Sequence, residues 1–250
     1  MAYEYPDTFA RFYDLIYHQL RDSADSAFYI GEIRKTKGRV LEIGTGTGRF
    51  FTTALGEGAD IYGLDISPSM MNLLRGKLDK KDHSRIILQS IVDFRLNMKF
   101  DLIVAPFRVF MHLIEKEDQI KAINNVYLHL KRGGRFIFDA FIPDLKALLN
   151  GITNQTDFNG EYEPGKRVKR TVSTRPDLIN QLINIDFLLE WDEDGEKKQE
   201  HWFTPLRYFF RYELEHLVER SDFKYYKILG DFHGNELNED SKEFIVICQK

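Results

Sequence analysis

Cysteine is almost missing from this chain: Cys248 is the only one among 250 residues. That excludes an internal disulfide framework and fits a reducing compartment. Long apolar runs are missing too, and none approaches the roughly 18 residues of a membrane-spanning helix. The opening MAYEYPDTFARFYD lacks the charged-then-apolar pattern of a secretory leader. Positive charge is not in excess, since 35 Lys and Arg face 39 Asp and Glu for a net charge of −4. No global basic field therefore draws in nucleic acid or an anionic membrane. The seven histidines show no H-E-x-x-H or other close ligand spacing, so no metal is expected. Repeats, low-complexity tracts and linkers are absent as well. The expectation is a soluble cytoplasmic protein.

Aromatic residues are plentiful at 14%, and Tyr3, Tyr5, Tyr13 and Tyr17 crowd the N-terminus. From about Asp7 to Thr36 the apolar positions Phe9, Phe12, Tyr13, Ile16 and Leu20 recur at helical spacing. RVLEI then reads as a short buried strand bounded by Gly38 and Gly44. RFFTTAL follows as a helix, DIYGLDI as a strand, and SPSMMNLLRGKL as a helix with Ser67 as N-cap and Pro68 at its first position. RIILQSI and FDLIVAPF continue as strands, and RFIFDAF is a fifth. The helix EKEDQIKAINNVYLHLKRGG, with Ile120, Ile123, Val126, Tyr127 and Leu130 on one face, is expected to end at Gly133 or Gly134. Strands and helices alternating at this rate predict an α/β fold, with a mostly parallel sheet covered by helices on both faces.

After about residue 150 the pattern changes. KRVKRTVSTR, NQLINIDFLLEW and KKQEHWFTPLRYF have strand character, and DEDG (192–195) between the last two signals a hairpin. The block 160–207 is read as an inserted antiparallel sheet, and residues 208–250 as a final helix and two closing strands. The basic stretch GKRVKR (165–170) is read as a solvated edge strand, with a phosphate contact as the alternative.

Three glycines at alternate positions, Gly44, Gly46 and Gly48, leave the first strand and open a helix. Glycine costs backbone entropy, so such a cluster answers a local demand: a tight turn, or the close approach of a ligand to the backbone. A dinucleotide loop is spaced G-x-G-x-x-G; this one is G-x-G-x-G, with Glu42 two residues ahead. Asp65 closes the next strand 21 residues beyond Gly44, near the spacing at which an acid meets ribose hydroxyls.

These segments — LEIGTGTG (41–48), GLDIS (63–67), FDLIVAPF (100–107) and LKRGGRFIFDAF (130–141) — resemble the class I S-adenosylmethionine-dependent methyltransferases. The resemblance covers residues 9 to 145. It is nearest to the small-molecule branch that includes glycine and amino-sugar N-methyltransferases, through Tyr13-Asp14, His112-Leu113 and the late antiparallel insertion. It implies a Rossmann-like seven-strand sheet in a single domain: residues 1–37 a helical cap, 38–150 the cofactor-binding core, and 160–207 the roof of the substrate pocket. It implies S-adenosylmethionine as cofactor and S-adenosylhomocysteine as product. Gly44 and Gly46 would pack on the methionine half, with Glu42 beneath it. Asp65 would hold the ribose, Ile66 and Met70 would line the adenosine, and the Ala105 carbonyl would meet the amino group. Where the branch often has an acid for adenine this chain has Ser90, with the Ile91 N–H beside it.

Methyl transfer from a sulfonium needs the nucleophile held in line, and a base only if the acceptor arrives protonated. His112 is the candidate base or orienting group, or else a helix-cap or surface histidine. Tyr13 is a candidate cofactor or substrate contact, or else packing on the stripe of Phe9, Phe12 and Ile16. Tyr17 and His18 are weaker candidates. The expected function is methylation of nitrogen or oxygen on a small molecule, without nucleic-acid or membrane partners, by a monomer or homodimer. Three alternatives stay open: a non-catalytic cofactor-binding module, an NAD-type oxidoreductase, and aminopropyl transfer.

Overall fold

A computed structural model describes residues 5–20 and 23–250. Five strands come first: β1 (Val40–Ile43), β2 (Ile61–Asp65), β3 (Ile86–Leu88), β4 (Phe100–Ala105) and β5 (Leu130–Phe141). Four strands of a separate sheet follow: β6 (Ile152–Glu163), β7 (Lys166–Asp177), β8 (Leu182–Glu193) and β9 (Glu196–Arg207). The chain closes with β10 (Tyr225–Leu229) and β11 (Glu243–Gln249). The main sheet has the order β10-β11-β5-β4-β1-β2-β3; β1 to β5 run parallel, and β11 is antiparallel to β5 and β10. Successive residues of each strand face opposite layers. Leu41, Ile103, Phe136 and Phe138 pack with helices α5 (Lys116–His129) and α7 (Arg211–Glu219). Val40, Ile61, Leu102 and Ile137 pack with α2 (Ala24–Lys35), α3 (Arg49–Gly56) and α4 (Pro68–Lys77). This is the fold expected from the alternating pattern.

Strand order reverses between β1 and β4, so the loops after these two strands diverge and leave a crevice at the carboxyl edge of the sheet. The second sheet, in the order β6-β7-β8-β9, is antiparallel throughout. Asp194 and Gly195 both have positive φ (51° and 79°), as the tight β8–β9 turn requires.

Several expectations are corrected. The inserted sheet begins at Ile152, not near 160, because β6 buries only Phe158 and carries almost no apolar alternation. GKRVKR is no edge strand: β7 lies between β6 and β8, and Arg170 is buried against Asp157, with Nε and Nη2 at 3.0 and 2.8 Å. α5 stops at His129, not at the glycines, because the chain enters β5 at once and Gly133 serves a bulge in that strand at φ 78°. The predicted strand RIILQSI shortens to Ile86–Leu88, because Ser90 opens a turn whose carbonyl accepts from Asp93 and Phe94. The N-terminal helical stretch is two helices with different targets. α1 (Asp7–Leu20) presents Phe9, Phe12 and Ile16 to Trp191, Trp202 and Phe158 of the second sheet, whereas α2 packs on the main sheet. Tyr3 lies outside the described residues.

Candidate active site

The glycine loop is shaped by two constraints. Gly44 has φ 70°, and a Cβ there would lie 2.2 Å from Cγ2 of Val109, so the β1 loop sits hard against the segment following β4. Gly46 has φ 56°, and the nearest atom its Cβ would meet is the Gly44 carbonyl at 3.9 Å; this backbone is bare to the cavity. The loop is tied to β2 through Asp65. Its Oδ2 accepts from the Gly46 N–H and its Oδ1 from the Ser67 N–H, both at 2.8 Å. Burial raises the Asp65 pKa, while those backbone donors pull it back. Each oxygen keeps a lone pair for a further donor.

The loop borders a cavity of about 450 Å³, within the range of small-molecule sites. Tyr13, Glu42, Gly44, Gly46, Asp65, Ile66, Met70, Ser90, Ile91 and His112 all line it. Ala105 does not line it: after β4 the wall begins one residue later, at Pro106. Tyr17 lines the cavity and His18 does not. Asp14 fixes α1 over the loop, accepting from the Thr47 hydroxyl and the Lys77 ammonium. Ser90 Oγ accepts from the Val92 N–H at 3.2 Å, so its hydroxyl proton stays available to a ligand.

Sequence reasoning missed Arg49, Phe107, Arg108, Thr204 and Trp202 in the lining. It also missed the residue behind two of them. Phe107 and Arg108 both sit at positive φ (59° and 61°), an uncommon state for side-chain-bearing residues. Asp139, wholly buried in β5, holds that bend: it accepts from the Phe107 and Arg108 N–H groups at 2.7 and 3.0 Å and from the Tyr29 hydroxyl at 2.7 Å. The visible signal was an acid inside the apolar strand RFIFDAF.

Charge is arranged in pairs. Burial pushes the Glu42 carboxyl well above its usual range; the Arg49 charge opposes this and Asp65 adds to it. Glu42 Oε2 and Arg49 Nε are both buried without a partner, and both residues line the cavity. Arg49 is otherwise held by Asp25. Arg108 lies between Glu243 and Asp139; burial, with Asp139 adding, lifts Glu243 to about 7 against the pull of Arg108. His112 ends the 3₁₀ turn Val109–His112, and burial depresses its pKa to about 4.

S-adenosylmethionine fits this donor set. The unsatisfied Glu42 oxygen and Arg49 Nε suit an ammonium and a carboxylate on one amino-acid end. Asp65 suits a ribose diol, bare Gly46 suits close approach of the thioether chain, and Ile66, Met70 and Ile91 form an apolar slot. Among the described residues no cluster of three or more His, Cys, Asp or Glu is arranged for a metal ion, and no helix is long and apolar enough to cross a membrane.

Comparison with known proteins agrees. A family model described as "Methyltransferase domain" matches residues 41–136. A glycine/sarcosine N-methyltransferase of Parasynechococcus marenigrum is 31% identical over 245 residues, covering 95% of this chain and 82% of the relative. A cypemycin N-terminal methyltransferase of Streptomyces is 23% identical, covering 98% and 97%. In fold, an S-adenosylmethionine-dependent methyltransferase from Clostridium acetobutylicum superposes with a TM-score of 0.75 at 20% identity, covering 97% of this chain and 98% of that one. A sugar N-methyltransferase from Streptoalloteichus gives 0.75 at 16%, covering 95% and 93%. Glycine loop, strand-end acid, sheet order and sequence kinship converge, and this chain belongs to the class I S-adenosylmethionine-dependent methyltransferases.

Proposed function

We propose that the protein methylates the nitrogen of a small-molecule amine. The observation that carries this reading is one continuous cavity. It runs from the Glu42–Arg49 and Asp65 end to a wall of Tyr5, Tyr13, Tyr17, Phe187 and Trp202, with His112 also in its lining. Among the relatives whose names give an acceptor, the glycine/sarcosine and sugar enzymes are N-methyltransferases, while a malonyl-(acyl-carrier protein) methyltransferase acts at oxygen.

Bound S-adenosylmethionine supplies an electrophilic methyl whose leaving group is a neutral thioether. Glu42 and Arg49 would hold its amino-acid end, Asp65 its ribose, and Ser90 with the Ile91 N–H its adenine edge. The wall beside the amino-acid end resumes at Pro106, one residue beyond Ala105. Holding the acceptor in line is the main work of the remaining walls. His112 is neutral above about pH 5, so its ring nitrogen can accept a hydrogen bond from an amine N–H and aim the lone pair. A proton it took would not stay there at neutral pH. Its role is therefore orientation rather than proton storage. Tyr13 closes the cavity beside Tyr17, with ring centroids 4.5 Å apart, and offers aromatic surface to a cationic methylated product.

The test is calorimetric titration with S-adenosylmethionine and S-adenosylhomocysteine, followed by S-adenosylhomocysteine release with matched amines and alcohols. Micromolar binding and amine-dependent release are expected. Release with alcohols and none with amines would overturn nitrogen as the acceptor. NAD serves as the control for the oxidoreductase alternative and should not bind.

A further inference from the structure

The roof of the cavity comes from one face of the second sheet. Ile185 and Phe187 of β8 pair with Thr204 and Trp202 of β9, and Leu206 continues the same face two residues on. Four of these five side chains are apolar. The fifth, Thr204, is 3% exposed, and its hydroxyl has no partner in the protein. A buried hydroxyl left unpaired forfeits its hydration, so this one marks where a ligand group is received.

Two acids reach the lining on this side beyond the His112 turn: Glu115, which is exposed, and Asp118, whose carboxylate is ion-paired with Lys121 at 3.2 Å. Among the described residues the cations in the lining are Arg49 and Arg108. Both follow strands of the main sheet and both are engaged, Arg49 by Asp25 and Arg108 by Asp139 and Glu243. Other guanidiniums nearby are outside the lining and committed. Arg170 is bound by Asp157 and lies over the rings of Tyr17 and Phe187 at 4.9 and 4.8 Å. Arg207 is ion-paired with Glu213 and donates to the carbonyls of Ile114 and Asn180, while its buried Nε keeps no partner. An acceptor bearing a carboxylate would set it against Glu115, Asp118 and an apolar roof, where each guanidinium of the lining is already ion-paired with a carboxylate of the protein.

We infer that the acceptor is an amine on an apolar or aromatic body, with a hydrogen-bonding group opposite the nitrogen that meets Thr204, and without a carboxylate. This rests on the amine reading above and separates this enzyme from relatives named for glycine. The amine nitrogen, reacting as the free base after its proton has passed to solvent, belongs toward His112 on the side of Glu115 and Asp118; the body lies under Phe187, Trp202 and Leu206.

Matched pairs test it: phenethylamine against phenylalanine, and tyramine against tyrosine, with glycine and sarcosine alongside. Initial rates of S-adenosylhomocysteine formation are read at saturating S-adenosylmethionine, and amine binding to the S-adenosylhomocysteine complex is read by calorimetry. Each decarboxylated member should exceed its amino acid at least tenfold in kcat/KM, and tyramine should exceed phenethylamine. Thr204→Val should collapse the tyramine-to-phenethylamine ratio about tenfold, mainly through KM, and Thr204→Ser should retain it. Glycine, sarcosine or either amino acid turned over as well as the amines would overturn the inference while leaving amine methylation standing. Neither amine bound by the complex would overturn it too. The wild-type comparison needs no variant to fold.

Discussion

The carboxylates of Glu42 and Asp65, each two residues from a glycine, do different work. Asp65 is already tied to two backbone N–H groups, so Asp65→Ala removes a structural bond as well as the proposed ribose acceptor. It should weaken S-adenosylmethionine binding at least 50-fold by calorimetry and lower unfolding free energy by about 1–3 kcal/mol. Glu42 has an unpartnered, buried oxygen and a raised pKa. Burial of that charge costs stability once the group ionises in the unfolded chain, above its ordinary value. Glu42→Gln should therefore raise the stability of the ligand-free protein at pH 8, measured by denaturant midpoint, and weaken cofactor binding about tenfold. A Glu42→Gln protein that bound the cofactor as tightly as wild type would remove the ammonium contact from the site. His112 should contribute no inflection near pH 6.5 to the kcat profile, because it is neutral throughout that range. His112→Ala should lower kcat by tenfold or more with the true acceptor; an unchanged rate across pH would remove its orienting role.

At the scale of elements, the site depends on how α1 and the bend after β4 are held. α1 contributes Tyr13 and Tyr17 to the cavity from one side of the helix while Phe9, Phe12 and Ile16 dock on Trp191, Trp202 and Phe158 from the other. Truncating Phe12, fully buried, to Ala removes a large anchor worth about 3–5 kcal/mol in a core. Because α1 is one segment on a separate sheet, much of that loss should appear as local opening. Amide exchange within residues 9–17 should accelerate at least tenfold, while β1 and β4 stay protected. Both the helix and its apolar stripe were legible in the sequence, since they repeat at helical spacing within one segment. What the stripe packs on was not legible, because β8 and β9 lie more than 160 residues downstream. The bend at Phe107 and Arg108 has the same logic, since the carboxylate that holds it arrives from β5.

For the molecule as a whole, two perturbed groups pull stability in opposite directions with pH. The His112 pKa is lower in the fold than in the unfolded chain, about 4 against 6.5. The unfolded chain therefore takes the proton first, and stability falls as pH drops from 6.5 toward 4. Glu243 is higher in the fold, about 7 against 4.5. Its contribution is fully present below 4.5 and is lost as pH rises through 7. In urea titrations His112→Asn should shrink the stability difference between pH 7 and pH 4.5 by roughly 1–2 kcal/mol, discounted because the ring still faces the cavity. Glu243→Gln should remove the decline between pH 5 and pH 8. A wild-type-like profile in either variant would show that its group does not titrate in that window.

The sequence by itself determined the main sheet and the cofactor end of the cavity. Those depend on short-range patterns: strand and helix periods, a glycine turn, and an acid closing the neighbouring strand, which pairs directly with the first. Glu42, Gly44, Gly46 and Asp65 meet because β1 and β2 are adjacent, and adjacency of successive strands is a local property of this fold. Only the tertiary structure decided the acceptor end. Thr204 and Trp202 reach the cavity when an inserted sheet folds over it, and Asp139 shapes a loop more than 30 residues upstream. Contacts of that range follow from packing, where burial and pairing between distant segments choose the neighbours, and no spacing along the chain records them.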